Sequence, residues 1–151
     1  MIKELKDIRA IAGLWQAAFH DSEEEIRFFA ENVQDAVCLA YCIEDKPVSL
    51  LYLVDCEYNG VSGGYVYAAC TDAAFRKQGI MAQLLAYCRT QKPYICLLPA
   101  NEQLVEYYKK QGFTKVVNTN EIVFSQSPEI LEYLYDGCEL EKPIILMTEE
   151  A

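Results

Sequence analysis

The hydrophobic and polar positions at the start of the chain follow a helical period. Apolar residues recur every three or four positions at Ile8, Ile11, Ala12, Trp15 and Phe19. This spacing predicts a helix with one buried face. Ser22 and Glu25 then form a capping-box pattern ahead of a second apolar stripe that includes Ile26 and Phe29, so a second short helix is predicted.

The pattern then changes to that of β-strands. Predicted strands cover residues 36–44, 48–57 and 65–71. Asp45-Lys46-Pro47 has turn chemistry and separates the first two strands, which predicts an antiparallel hairpin. Asn59-Gly60 and Gly63-Gly64 indicate another tight connection before the third strand.

The second half of the chain alternates helices and strands. A polar loop after Thr71 leads into a helix with an apolar face, and a strand over residues 94–98 should lie parallel to the strand that ends at Thr71. Asn101 is predicted to cap the next helix and Gly112 to end it. The last predicted elements are strands at 113–117, 122–124 and 143–148 and a helix at 129–135. These elements predict a single α/β domain over residues 1–151, with a mixed, mostly antiparallel sheet flanked by helices.

Charge and apolar run length limit the possible partners. The 151 residues carry a net charge of −10, which argues against general binding to nucleic acids or to anionic membranes. No apolar run approaches the roughly twenty residues needed to cross a bilayer.

Cysteine and histidine usage argues against a metal site. The seven cysteines lie in apolar stretches and are never spaced as Cys-x-x-Cys, so we expect buried, reduced thiols and a cytoplasmic protein. His20 is the only histidine, which excludes a two-histidine metal site.

One stretch of this acidic chain contains no acids. Residues 73–101 hold four basic residues and no Asp or Glu, so they carry +4, which leaves −14 for the rest of the chain. Within this stretch, the N–H groups at the start of a helix lie next to Arg76 and Lys77, and this arrangement favours a phosphate. Gly79 would let such a ligand approach the backbone closely. The alternative is an ordinary helix-entry turn, with the absence of acids due to chance.

The order of these motifs resembles that of the GNAT superfamily of acyl-CoA N-acetyltransferases, most clearly over residues 36–117. Arg76 and Gly79 match the family's R/Q-x-x-G-x-G/A pyrophosphate loop, although Met81 stands where Gly or Ala is usual. Because methionine is unbranched and flexible, its side chain can fold away from the loop. The family's second pattern is matched by Asn101, Tyr108, Gly112 and Phe113.

The resemblance implies a site for acetyl-CoA and no metal. The pantetheine arm would pair with the strand ending in Ala69, Cys70 and Thr71, where a V-shaped splay separates it from the strand at 94–98. The pyrophosphate would contact Arg76, Lys77, Gln78, Gly79, Ile80, Met81 and Ala82. Asn101 would either contact the cofactor or only cap its helix.

The resemblance also implies direct attack by a primary amine on the thioester in a ternary complex. Tyr108 is the candidate general acid, because a phenol with a pKa of about 10 remains protonated at neutral pH and can donate to the departing thiolate. The alternative is a core aromatic residue. A covalent acetyl carrier at Cys70 or Cys96 is disfavoured, since no histidine lies nearby in sequence.

The general base remains open. Asp55, Glu57 and Asp72 lie near the predicted site at strand ends or in loops, and family members often use an ordered water. His20 is expected to be a surface or capping residue.

The acceptor is expected to be a cationic amine. Residues 126–151 contain seven acids and one base, a composition that is also usual for a solvated acidic surface. In the family, the opening helices and the connection corresponding to 125–142 shape the acceptor pocket. Acidic walls would attract a small-molecule amine or a Lys or N-terminal amine, and a homodimer is possible by resemblance. The alternatives are a non-catalytic acyl-CoA-binding or regulatory module and an acidic protein-interaction domain.

Overall fold

The computed structural model describes residues 1–149. Its strands are β1 (Ile2–Glu4), β2 (Ala36–Ile43), β3 (Lys46–Tyr58), β4 (Val61–Thr71), β5 (Ile95–Leu97), β6 (Lys115–Val117), β7 (Ile122–Val123) and β8 (Ile145–Met147). Its helices are α1 (Ile8–Phe19), α2 (Glu23–Asn32), α3 (Ile80–Gln91), α4 (Glu102–Lys110) and α5 (Pro128–Leu134). Short 3-10 turns occur at Ala73–Phe75 and Thr119–Glu121.

All eight strands form one sheet in the order β1-β2-β3-β4-β5-β8-β6, with β7 paired to β3. Among the described residues, β4 and β5 form the one parallel pair, and the other pairs are antiparallel. These pairs confirm the predicted mixed, mostly antiparallel sheet. Strands β4 and β5 run in the same direction because the chain crosses over between them through α3.

The two faces of the sheet bury separate cores, because alternate side chains of a strand point to opposite faces. Along β3, Tyr52 and Val54 belong to a first core under α1, α2 and α5. Leu51 and Leu53 belong to a second core under α3 and α4.

Side-chain caps fix where α2 and α4 begin, as the sequence predicts. Ser22 and Glu25 form the reciprocal capping box of α2. The Leu104 N–H donates to Asn101 Oδ1 at 2.9 Å, which caps α4. Gly112 follows α4 with a φ of +99°, a conformation that suits glycine.

The predicted turns are partly misplaced. The β2–β3 turn lies at Glu44 and Asp45, which both have positive φ, so the predicted turn residues Lys46 and Pro47 begin β3. Gly63 and Gly64 lie inside β4 rather than in the connection before it. The absence of side chains there makes room for neighbours: a Cβ on Gly63 would clash with the Tyr94 ring. Strand β1 was not predicted.

The cysteines mostly lie within the two cores. Six of the seven are buried, and Cys138 is half-buried. In residues 1–149, no helix is both long and apolar enough to span a bilayer.

Candidate functional site

The sheet opens between β4 and β5, at the carboxyl ends of these parallel strands. The two strands pair only at Gly64–Ile95 and Tyr65–Cys96. Beyond this point β4 continues to Thr71, whereas β5 ends at Leu97. The edge of β4 that faces β5 is therefore unpaired from Val66 onward, which confirms the predicted V-shaped splay.

A bulge in β4 lies beside this opening. The register with β3 shifts between Leu50–Cys70 and Tyr52–Tyr67, so Ala68 and Ala69 together lie opposite Leu51. Ala68 has a φ of +56°, a left-handed conformation that is uncommon for alanine. Such bulges bend a strand and often occur next to active sites.

A pocket of about 230 Å³ occupies the opening, and we call it the splay pocket. It connects the two faces of the sheet, because Trp15 and Leu134 of the first core and Leu97 and Tyr108 of the second core all line it. The remaining lining residues are Phe19, Asp21, Tyr65, Val66, Tyr67, Ala68, Ala69, Leu98, Ala100, Leu104, Asp136 and Gly137.

Tyr108 lines the splay pocket from the side of the second core. It is 9% exposed, and its ring packs edge-on against Phe113 at 5.6 Å between centroids. Burial, with a smaller effect of Tyr107, raises the pKa of Tyr108 to about 12, so the phenol remains protonated at neutral pH. Among residues 1–149, the Tyr108 hydroxyl has no hydrogen-bond partner. Every fully buried polar side-chain atom in these residues does have a partner, so the Tyr108 hydroxyl is not fully buried. The hydroxyl is therefore accessible from the pocket.

The loop at 76–82 follows β4 and has the backbone shape of an anion site. Lys77 and Gly79 both adopt left-handed conformations, with φ of 64° and 76°. A Cβ on Gly79 would meet nothing within 4 Å, so the space beside it is open. In this described part of the chain, the N–H groups of Lys77, Gln78, Gly79, Ile80, Met81 and Ala82 donate no hydrogen bond. Successive N–H groups in a turn of this kind can line a concave surface that binds an anion.

The side chains around the loop leave it accessible. Arg76 is exposed, and its Nε donates to the Thr71 carbonyl at 3.1 Å, which holds the guanidinium beside the end of β4. Met81 packs against the second core, so its side chain does not fill the loop.

The other sequence candidates have structural roles. Asn101 uses its side-chain oxygen to cap α4. Cys70 and Cys96 are buried. Burial raises the pKa of Cys70 to about 12. A hydrogen bond to Cys56 and burial raise the pKa of Cys96. Neither cysteine lines the splay pocket.

None of the sequence-derived base candidates lines the splay pocket. Asp55 pairs with Lys92 Nζ at 2.7 Å, and Glu57 is exposed on β3. Asp72 caps the 3-10 turn after β4. His20 ends α1 in a left-handed conformation, as a capping residue does.

Two carboxylates that no sequence motif indicated, those of Asp21 and Asp136, line the pocket. Asp21 directly follows His20 in the link between α1 and α2, and Asp136-Gly137 is a turn motif inside the acidic connection at 125–142. These positions are the signal that could have identified them, because both links were expected to shape the acceptor side.

Structural comparisons show the same fold in other proteins. A GNAT family acetyltransferase from Elizabethkingia anophelis, solved with acetyl-CoA bound, matches at a TM-score of 0.62 and 15% identity, over 99% of this chain and 97% of that chain. An aminoglycoside 6'-acetyltransferase type Ii matches at 0.60 and 17%, over 99% and 96%. A conserved protein of unknown function from Enterococcus faecalis V583 matches at 0.54 and 14%, over 72% of this chain and 31% of that chain. This chain thus spans about a third of that last protein.

Sequence comparison gives the family directly. No curated protein matches the sequence. The family model described as Acetyltransferase (GNAT) family matches residues 4–113, which is most of the chain and includes the loop at 76–82 and Tyr108. The chain therefore belongs to the GNAT acetyltransferase family.

Proposed function

We propose that this protein is an acetyl-CoA-dependent N-acetyltransferase, in which a primary amine attacks the thioester directly in a ternary complex. The observation that carries this proposal is the splay pocket, which passes between β4 and β5 and contains the unpartnered hydroxyl of Tyr108. Residues 1–151 would act as one GNAT-like domain.

The chain's own groups fit acetyl-CoA. The unpaired edge of β4 at Ala69, Cys70 and Thr71 offers backbone partners to an amide-containing arm. The free N–H groups of the loop at 76–82, with Arg76 and Lys77, fit a pyrophosphate. Asn101 caps α4 with its side-chain oxygen, and its side-chain NH2 group would donate to the cofactor. The acetyl-CoA bound to the Elizabethkingia anophelis relative supports this assignment.

Acetyl-CoA supplies the acetyl group as a thioester and its sulfur as the leaving group. As the amine nitrogen bonds to the carbonyl carbon, the carbon–sulfur bond breaks. Tyr108 donates its phenolic proton to the sulfur, and the nitrogen loses a proton to water. Solvent then reprotonates Tyr108, so protons balance over one turnover. The raised pKa of Tyr108 keeps its proton in place until negative charge develops on the sulfur.

The surroundings of the site favour a cationic acceptor. The splay pocket contains two carboxylates, and the aminoglycoside acetyltransferase that shares the fold acts on an amine-rich molecule by its name. A small-molecule amine or a Lys or N-terminal amine is therefore the acceptor class. We place the protein in the cytoplasm because of its seven cysteine thiols, and a homodimer is proposed from the family resemblance alone.

Two measurements test the proposal in sequence. Calorimetry should detect binding of acetyl-CoA. A thiol-release assay over a panel of amines should then show turnover of acetyl-CoA that depends on the added amine. Absence of binding at millimolar ligand would refute the whole proposal. Binding without turnover on any amine would refute the catalytic part and favour a non-catalytic acyl-CoA-binding module.

A further inference from the structure

Asp21 and Asp136 line the splay pocket without a cationic partner. Asp21 is half-buried between α1 and α2, and Asp136 is exposed just after α5. Within residues 1–149, the salt bridges involve other acids, and no Lys, Arg or His nitrogen lies within 4.0 Å of either carboxylate. Their charges are thus available to a ligand.

Hydrogen bonds hold both residues in place. Trp15 Nε1 donates to Asp21 Oδ2 at 2.6 Å, a short charge-assisted bond. The Tyr65 hydroxyl donates to the Leu134 carbonyl at 2.6 Å and fixes the end of α5. The Asp136 N–H then donates to the Tyr133 carbonyl at 3.2 Å. The carboxylate of Asp21 is therefore held in place, and the backbone of Asp136 is fixed beside the pocket.

The negative charges of both carboxylates affect Tyr67, an aromatic residue that lines the pocket. Burial is the main cause of the raised pKa of Tyr67, and the charges of Asp21 and Asp136 add to it. The Trp15 ring lies 5.6 Å from the Tyr67 ring between centroids. Carboxylates beside aromatic rings are a chemical environment that suits an ammonium group.

The carboxylates and Tyr108 lie toward opposite faces of the sheet. Trp15, which holds Asp21, belongs to the first core, whereas Tyr108 belongs to the second core. Tyr108 is a nearly buried side chain, 9% exposed, that lines this pocket, and its hydroxyl has no partner among the described residues, so it is free to bond to a ligand there.

A single amine nitrogen of the acceptor cannot both bind the two carboxylates and attack the thioester near Tyr108. A nearby carboxylate favours the charged form of an amine, but only a neutral amine attacks a thioester. We infer, on the basis of the proposed function, that Asp21 and Asp136 bind a second ammonium group of the acceptor. The substrate is then a small diamine or polyamine whose other amine lies toward Tyr108. The pocket volume of about 230 Å³ suits a small molecule.

Ligand binding can be measured without catalysis. Trp15 is the only tryptophan in the chain and lines the pocket, so its fluorescence reports on this site alone. Titration with 1,4-diaminobutane should give at least tenfold tighter binding than titration with butylamine, which has the same carbon chain and one amine. Equal affinities, or no response to the diamine, would overturn the inference.

Variants test the two carboxylates separately. Asp21→Asn keeps an oxygen acceptor for Trp15 Nε1, and Asp136→Asn keeps its backbone bond, so both should fold. Each substitution should raise the Kd of the diamine at least tenfold and bring it closer to the Kd of butylamine. Glu132→Gln removes an exposed charge on α5 outside the pocket and should leave the Kd unchanged. An unchanged Kd of the diamine in the folded Asp variants would overturn the inference. If a variant does not fold, the comparison of 1,4-diaminobutane with butylamine in the unmodified protein still tests it.

The proposed function and this inference fail in different ways. Carboxylate-dependent diamine binding without acetyl transfer would refute the proposed function and leave the inference standing. Acetyl transfer with the same kcat/KM for butylamine and 1,4-diaminobutane would support the proposed function and overturn the inference.

Discussion

Tyr108 combines two properties that usually conflict in one side chain. Its ring is buried against Phe113 like a core aromatic, yet its hydroxyl has no protein partner among residues 1–149 and is accessible from the splay pocket. An accessible hydroxyl without a protein partner is free to bond to water or to a ligand in the pocket.

Removing this hydroxyl should therefore lower turnover selectively. For Tyr108→Phe we predict a kcat about a hundredfold lower, because a general acid contributes on this order, with the acetyl-CoA Kd changed by less than about twofold. Steady-state kinetics and calorimetry measure the two quantities. Tyr107→Phe is the matched control, since Tyr107 does not line the pocket. Unchanged kcat in Tyr108→Phe would remove Tyr108 from the mechanism.

The sequence could predict some site residues but not others. Tyr108 and Gly79 belong to local motifs that resemble those of the GNAT family, so the sequence alone could propose them. Asp21 and Asp136 are 115 positions apart, and only the packing of α1 and α5 against β4 brings them to one pocket. No short-range pattern encodes such a pair.

The loop between β4 and α3 can bind a ligand because its backbone N–H groups make few hydrogen bonds within the protein. Two left-handed residues, Lys77 and Gly79, turn it so that consecutive N–H groups stay free. Arg76 and Lys77 add positive charge in an otherwise acidic protein.

Reversing both charges should weaken the binding of acetyl-CoA. The double variant Arg76→Glu and Lys77→Glu replaces two attractive charges by two repulsive ones, and we predict at least a tenfold higher Kd by calorimetry. The effect should shrink as salt is added. Lys3→Glu with Lys6→Glu makes the same change in net charge on exposed residues outside the loop, and its Kd should match the unmodified protein. If the two double variants bind acetyl-CoA with the same Kd, the assignment of the anion site to this loop is wrong.

The glycine pair in β4 accounts for one wrong turn prediction and supplies another test. Gly63 lies under the Tyr94 ring, whose hydroxyl bonds to the Val61 carbonyl at 2.8 Å. Gly63→Ala should lower the free energy of unfolding by about 1–3 kcal/mol, the cost of overpacking. Gly13→Ala, in α1 with open space around it, should raise it by about 0.5–1 kcal/mol. Urea denaturation measures both, and a stabilising Gly63→Ala would contradict the packing described here.

For the whole molecule, alternating strands and capped helices made the sheet and the helix starts predictable. Turn positions were less predictable, because Lys46 and Pro47 extend β3 and the glycines serve packing. Strand β1 has only three residues, Ile2–Glu4, which is too short for alternation to be recognised.

Buried hydroxyls and thiols make the molecule sensitive to alkali. Burial raises the pKa of Tyr108, Cys70 and Cys88 to about 12 each, from ordinary values of 10.0 for tyrosine and 9.0 for cysteine. The unfolded chain therefore loses these protons first as the pH rises. Stability is full below about pH 9 and falls between about pH 9 and 12. Urea midpoints measured from pH 7 to 11 should decline above pH 9, and a constant midpoint would contradict the burial of these groups.

Acetyl transfer by this protein is tested by incubating it with acetyl-CoA and 1,4-diaminobutane and measuring released thiol and acetylated amine together. We predict equal amounts of CoA thiol and N-acetylated diamine, formed catalytically and reduced about a hundredfold in Tyr108→Phe. Acetyl-CoA binding with no acetylated product from the diamine or from any amine in the panel would contradict the assignment of this protein as an N-acetyltransferase.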